Sequence, residues 1–300
     1  MLTQSGLDAG LAGNVGLAPL EIADRNKIVV FELSSYQTAD MAFSPDIAAV
    51  TNLLHCFDTF TELCGTLTPE EWATPSLCPG WSVQDVAAHL AGIEKALRGW
   101  APSVEQPPPF DTIAGYMQTA RTWSGAQLLE DMQATLADRR AELAAMDDAA
   151  FDAPSWTPVG AATYGRFMAV RTFDFWVHEQ DIRVPVAKPG HLTGGAAELS
   201  LEEVRMSIGY IVGKRAQIPD GRSVKIVLTG PITGELAAVV DGRARGVEHL
   251  DTPDATVTTD FLTFMLLACG RIDPQEQEGE AHRRNEVGRD VPQQVQKRGR

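Results

Sequence analysis

Cysteine is scarce in this chain of 300 residues, which has four: Cys56, Cys64, Cys78 and Cys269. None forms a CxxC pair, and their spacing matches neither a disulfide framework nor a zinc finger, which fits a reducing compartment. Basic residues are in deficit, with 25 Lys and Arg against 40 Asp and Glu and a net charge of −15. Such a chain repels phosphate backbones and anionic bilayers, so nucleic acid is not an expected partner, nor is a membrane. No apolar run approaches the ~20 residues that cross a bilayer, and the basic-then-apolar order of a signal peptide is missing. A cytoplasmic protein is expected. What is present is an apolar content of 44%, enough to fill cores for about two domains at ~100–200 residues each.

The first 54 residues read differently from the rest. The segments 27–33 and 46–52 are short apolar runs rich in β-branched residues, the pattern of buried parallel strands. The spacing of Gly10, Gly13 and Gly16 before them suggests a loop. From Leu53 the period becomes helical: Leu53, Phe57, Phe60, Cys64 and Leu67 draw one apolar stripe, with a helix expected to about residue 65. Thr68-Pro69-Glu70-Glu71 supplies an N-cap, a proline at the first helical position and acidic residues in the first turn. Ser82 and Asp85 form a capping-box pattern ahead of the stripe Val83, Val86, Ala87, Leu90, Ile93 and Leu97. Further helices are predicted over 126–146 and 164–184. These long helices, joined by the short one after Thr68 or by one near 113–121, suffice for a four-helix bundle. Beyond residue 190 the pattern predicts a small α+β unit: helices over 194–213 and 260–268 and strands over 223–229, 235–240 and 255–258. The segment 275–300 is almost devoid of apolar residues and is expected to be disordered.

Asp174 and His178 lie four residues apart on the last bundle helix, and His89 lies on the helix after Ser82. Residues at i and i+4 share a helix face, so a carboxylate and an imidazole can close on one divalent cation, with the second imidazole supplied from another helix. Phe173, Phe175 and Trp176 flank Asp174, where a buried carboxylate needs a cation or strong donors. A salt bridge to Arg171 or Arg166 would also satisfy it. Three protein donors leave a coordination position open, as in catalytic rather than structural sites. Glu179 and Asp181 are candidates to hold a histidine in one tautomer, Asp181 being the better placed at three residues beyond His178. His55, His191, His249 and His282 have no partner at ligand spacing. Cys78 reads as a buried thiol, and Trp72, Trp81 and Trp176 as core.

The segment from Trp72 through Ser76-Leu-Cys-Pro-Gly-Trp81 to His89-Leu90, with Arg171-Thr-Phe-Asp-Phe-Trp-Val-His-Glu-Gln-Asp-Ile-Arg183 downstream, resembles the mycothiol-dependent maleylpyruvate isomerase family. The resemblance implies a DinB-like metal-binding four-helix bundle over 55–190 and a small sterol-carrier-like α+β domain over 191–274. It implies that His89, Asp174 and His178 hold a divalent metal, zinc being the expected ion, with mycothiol as thiol co-substrate. Isomerase members usually carry glutamate where this chain has Asp174. The implied chemistry is thiol-assisted isomerisation or thiol transfer on a small electrophile. A thiolate adds to a conjugated cis double bond, then either leaves after rotation about the new single bond or stays attached as an adduct.

Ala12-Gly-Asn-Val-Gly16, Val30-Phe-Glu-Leu-Ser-Ser-Tyr-Gln37 and Pro45-Asp-Ile-Ala-Ala-Val-Thr-Asn52 resemble the central domain of UDP-N-acetylmuramoylalanine–D-glutamate ligase, in which the glutamate matching Glu32 helps position magnesium. That pattern ends at Leu54 and lacks the Gly-rich Lys-Ser/Thr phosphate loop. The expected organisation is therefore mainly α with α+β: a short α/β ligase-like fragment over 1–54, the bundle, the small domain, and a tail over 275–300. The competing functions are a non-catalytic metal- or ligand-binding module and a residual ligase carried by Glu32.

Overall fold

The computed structural model describes the backbone of residues 9–13, 28–32 and 45–48 and the whole of residues 49–273. Strands β1 (Ala9–Gly13) and β2 (Ile28–Glu32) pair in parallel, Ala9 opposite Ile28 and Gly13 opposite Glu32. The expected loop at Gly10 and Gly13 is thus a strand, because backbone pairing with the β-branched run of β2 supplies the hydrogen bonds a loop would leave to water. Gly16, the Glu32 side chain and the 275–300 tail lie outside the described residues.

The strand expected over 46–52 is instead the opening of helix α1 (Pro45–Gly65). Proline occupies its first position and Asp46 its first turn, both favourable at a helix N-terminus. Ala49, Val50 and Leu53 are buried and continue backwards the stripe of Cys56, Phe57, Phe60, Leu63 and Cys64. The 3.6-residue period therefore overrides the local β propensity of Val50 and Thr51.

Helix α2 (Pro69–Trp72) starts with the Thr68–Glu71 capping box. Helix α3 (Val83–Leu97) starts with that of Ser82 and Asp85. Helix α4 (Thr112–Ala120) leads to α5 (Gly125–Ala144), which Ser124 and Gln127 cap. A short turn, α6 (Asp148–Phe151), and the two-residue strands β3 (Pro154–Ser155) and β4 (Ala162–Thr163) precede α7 (Tyr164–Arg183), capped by Thr163. The long helices α1, α3, α5 and α7 form the bundle: α1 packs on α7 and α5, and α3 packs on α5 and α7. Four helices of this length follow only because α1 begins eight residues before Leu53. No helix among the described residues is long and apolar enough to cross a membrane.

Gly125, at the start of α5, is a packing requirement. A methyl group there would overlap Cδ1 and Nε1 of the Trp72 indole, which is 5% exposed. We expect Gly125→Ala to destabilise the protein by about 1–3 kcal/mol, the usual range for overpacking a filled site, although alanine is the better helix former. A thermal melt showing an unchanged or raised midpoint would contradict this contact.

The chain divides into two compact units, Met1–Ser200 and Leu201–Arg300. Helix α8 (Gly195–Met206) spans the division, and the second unit continues with α9 (Ile208–Tyr210) and a π-helical turn over Ile211–Arg215. Its sheet comprises β5 (Ser223–Thr229), β6 (Gly234–Asp241), β7 (Arg243–Val247) and β8 (Ala255–Asp260), ordered β7-β6-β5-β8. Strand β8 joins β5 in parallel, and the other pairings are antiparallel. Helix α10 (Phe261–Ala268) follows, with the Asp260 side chain accepting from the Thr263 amide. Strand β7 was not expected from sequence: Arg-Ala-Arg-Gly-Val has too little apolar alternation, and its position at the sheet edge explains why it needs none.

Candidate metal centre

A turn and two helices build the site. Cys78-Pro79-Gly80-Trp81 closes with the Trp81 amide donating to the Cys78 carbonyl at 3.0 Å. Proline at the second position and Gly80 at φ 80° suit a type II turn, in which only glycine adopts the third position without strain. The Leu77 amide donates to the Asp181 carbonyl at 3.1 Å, which ties this turn to α7. The capping box at Ser82 then starts α3, and Asp85 also accepts from Arg121 Nε at 2.6 Å.

Helix α3 presents His89 to Asp174 and His178 on α7, and one ligand atom from each of the three lies within 4.8 Å of the others. The rings of His89 and His178 stand 5.1 Å apart at 75°. Two imidazoles on one tetrahedral ion with metal–nitrogen bonds of about 2.1 Å have ring centres about 5.2 Å apart, so the pair needs little rearrangement to share a cation. Asp174 Oδ1 lies 3.5 Å from His178 Nε2. A cation between them would take nitrogen and oxygen donors, a set that suits zinc and other imidazole-binding divalent ions.

Both α7 side chains are oriented from behind. His178 Nδ1 lies 2.8 Å from Asp181 Oδ2, and Asp181 is fully buried. A carboxylate can only accept, so the shared proton is on Nδ1 and Nε2 is turned to Asp174. The Cys78 thiol donates to the same Asp181 oxygen at 3.1 Å and lies 3.7 Å from His178 Nδ1. Cys78 therefore belongs to the polar support of His178 as well as to the core.

Asp174 Oδ2 accepts from Arg171 Nη1, which leaves Oδ1 as the atom facing His178. The ion pair considered from sequence is thus present alongside the apposition to His178. Arg171 is buried; its Nε donates to Glu94 Oε1 at 2.9 Å, and its guanidinium lies over the Phe175 ring at 5.3 Å. Glu94 Oε2 accepts from Arg139 Nε at 3.0 Å, and Arg139 reaches Glu142 at 2.6 Å and the Tyr164 hydroxyl at 3.1 Å. Glu94 is 0% exposed and Arg139 1%, so this chain of charges is inside the bundle.

The charges of the three side chains are coupled. Burial raises the Asp174 carboxyl, but Arg171, His178 and His89 outweigh it and hold the group below the ordinary carboxylate range. Burial lowers His178, yet Asp174, Asp181 and Cys78 prevail and bring it up to about 10. His89 is brought down to about 4, chiefly by burial. The anionic cluster thus retains positive charge at His178, while His89 offers a neutral nitrogen; a divalent cation placed there would compete with a proton.

Trp81, expected in the core, is half-buried and forms a wall of the site, with its ring 5.0 Å from that of His89 and 6.4 Å from that of His178, the latter stacked. Trp72 and Trp176 are in the core. Glu179 does not face the trio; it contacts Arg183, Thr59 and His191 on another face of α7. Sequence reasoning also missed Glu94 and Arg139. A signal for Glu94 existed, since it falls at i+4 from Leu90 and i−3 from Leu97, inside the apolar stripe of α3.

Residues 53–183 match the family described as "Mycothiol maleylpyruvate isomerase N-terminal domain". Among solved structures, a mycothiol-dependent maleylpyruvate isomerase superposes with a TM-score of 0.55 at 17% identity, over 76% of this chain and 90% of that one. A histidine-to-alanine mutant of a mycothiol-dependent maleylpyruvate isomerase gives 0.53 at 16% identity over the same shares. No curated protein matches the chain. The bundle helices α3, α5 and α7, most of α1, and all three residues of the trio fall inside the segment that matches this family.

Proposed function

We propose that the protein is a metal-dependent enzyme that uses mycothiol to isomerise a small electrophile or to transfer the thiol to it. The observation that carries this reading is the convergence of His89, Asp174 and His178 within 4.8 Å, with each α7 donor fixed by a buried partner. The match of the bundle to the mycothiol maleylpyruvate isomerase family supports mycothiol as the thiol. The three side chains would hold a divalent ion, for which zinc is our choice given two imidazoles and one carboxylate. Bound there, such an ion lowers the pKa of a thiol placed at its open position and so favours the thiolate.

The chain's own residues do the positioning. Asp181 keeps the His178 proton on Nδ1, so that Nε2 stays available. Arg171 occupies Asp174 Oδ2 and leaves a single carboxylate oxygen to the ion, which suits the side chain that is shorter by one methylene than the usual glutamate. Trp81 stacks beside the His178 imidazole and lies tilted against that of His89.

The test is thiol consumption. Zinc-loaded protein is expected to consume mycothiol, or to turn over catalytically in its presence, with a cis-configured conjugated carbonyl compound such as maleylpyruvate. Chelation should stop the reaction, and zinc should restore it. Equal rates before and after chelation would reject the metal-dependent reading.

A further inference from the structure

A different face of α7 carries a second pair of imidazoles. His191 lies in the connection after α7, its side chain 4% exposed and its backbone in the left-handed region at φ 55°. Non-glycine residues adopt that conformation at a cost and remain in it only where the surroundings fix them. Two contacts do so here: Trp176 Nε1 donates to the His191 carbonyl at 2.7 Å, and His191 Nδ1 lies 2.7 Å from Glu179 Oε2. Glu179 is 0% exposed. Its other oxygen accepts from Arg183 Nε at 2.6 Å, and the Thr59 hydroxyl donates to Oε2 at 3.1 Å.

Because the carboxylate only accepts, the proton of the His191–Glu179 bond is on Nδ1, which leaves Nε2 as the nitrogen free of that bond. That Nε2 is buried and has no hydrogen-bond partner. Leaving a buried polar atom unsatisfied is unfavourable, and a bound ion is one of the few things that removes the penalty. The exposed His55 of α1 stands against the same ring, edge to face, with centroids 5.0 Å apart and an interplanar angle of 86°. The His89–His178 pair has nearly the same arrangement, 5.1 Å and 75°. A carboxylate on the far ring nitrogen is the usual support of a metal-binding histidine.

We propose that His55 and His191 hold a second divalent transition-metal ion, with water completing its coordination. Two imidazole nitrogen ligands select zinc, nickel or copper over magnesium or calcium. The ion would link α1 to the segment that follows α7. With two protein donors in place of three, the site would bind more weakly than the trio and would fill second.

Calorimetric titration of chelator-stripped full-length protein with Zn2+ tests this. Wild type is expected to bind two ions per chain in separate events. His55→Ala should lose the weaker event and retain the tighter one, while His178→Ala should do the reverse. Because His55 is exposed, its replacement should leave the circular dichroism spectrum unchanged, and His55→Gln serves as a second variant of similar polarity. Both His55 variants binding as many ions as wild type would overturn the proposal. Loss of nothing in His178→Ala would reject the trio instead, so the two failures are distinguishable.

Discussion

Glu94→Ala should destabilise the protein by about 3–5 kcal/mol, the range for removing one partner of a buried ion pair. Glu94 is 0% exposed and accepts from both Arg171 Nε and Arg139 Nε. Its removal leaves two guanidinium groups facing each other in the bundle interior, with only Asp174, Glu142 and Tyr164 remaining as partners. Total stabilities are about 5–15 kcal/mol, so a change of this size can leave a large unfolded fraction at 37 °C. The measurement is the urea midpoint at constant m-value. Glu94→Gln preserves shape and one acceptor, and a smaller loss for it would assign the difference to charge. A shift below about 1 kcal/mol for Glu94→Ala would mean that the network is a solvated ion pair rather than a buried one.

His178→Ala should abolish metal retention at the trio and with it the thiol chemistry. Two donors, His89 and Asp174, would remain, with Arg171 still paired to Asp174. Asp181→Asn is the graded counterpart. It keeps an acceptor for His178 Nδ1 but removes the charge that holds the ring, and loss of such a support costs about 10–100-fold in metal affinity or activity. The expected order is therefore wild type, then Asp181→Asn, then His178→Ala, read as zinc affinity by competition with a chromophoric chelator. Asp181→Asn equal to wild type would show that His178 is oriented by its packing against Trp81 and α7 alone.

Much of the bundle was legible in the sequence because its cues are local. The N-cap at Thr68 is read from the proline and acidic residues that follow it, the capping box at Ser82 from residues three apart, and the stripes of α1 and α3 from their period. The opening of α1 was not legible: Ile47, Val50 and Thr51 favour strands locally, and only packing of Ala49, Val50 and Leu53 inside the bundle decides for helix. Strand β7 was missed because its pairing partner, β6, supplies what its own sequence lacks.

For the site, the i,i+4 spacing on α7 and the motif around His89 brought out the three side chains that converge. Their supports were harder to see. Asp181 was visible at i+3 from His178, but Arg171–Glu94–Arg139 joins three helices, and no spacing within one segment encodes such a contact. The separation of Asp181 from Glu179 follows from helix geometry: two residues apart, they diverge by about 200°, so one supports His178 and the other His191.

The most direct test of the metal centre is anomalous diffraction at the zinc edge from crystals prepared with one equivalent of zinc per chain. The expected result is a single strong peak among His89, Asp174 Oδ1 and His178 Nε2, within about 2.0–2.2 Å of each donor. Density for zinc elsewhere, with no peak among these three residues, would contradict the assignment.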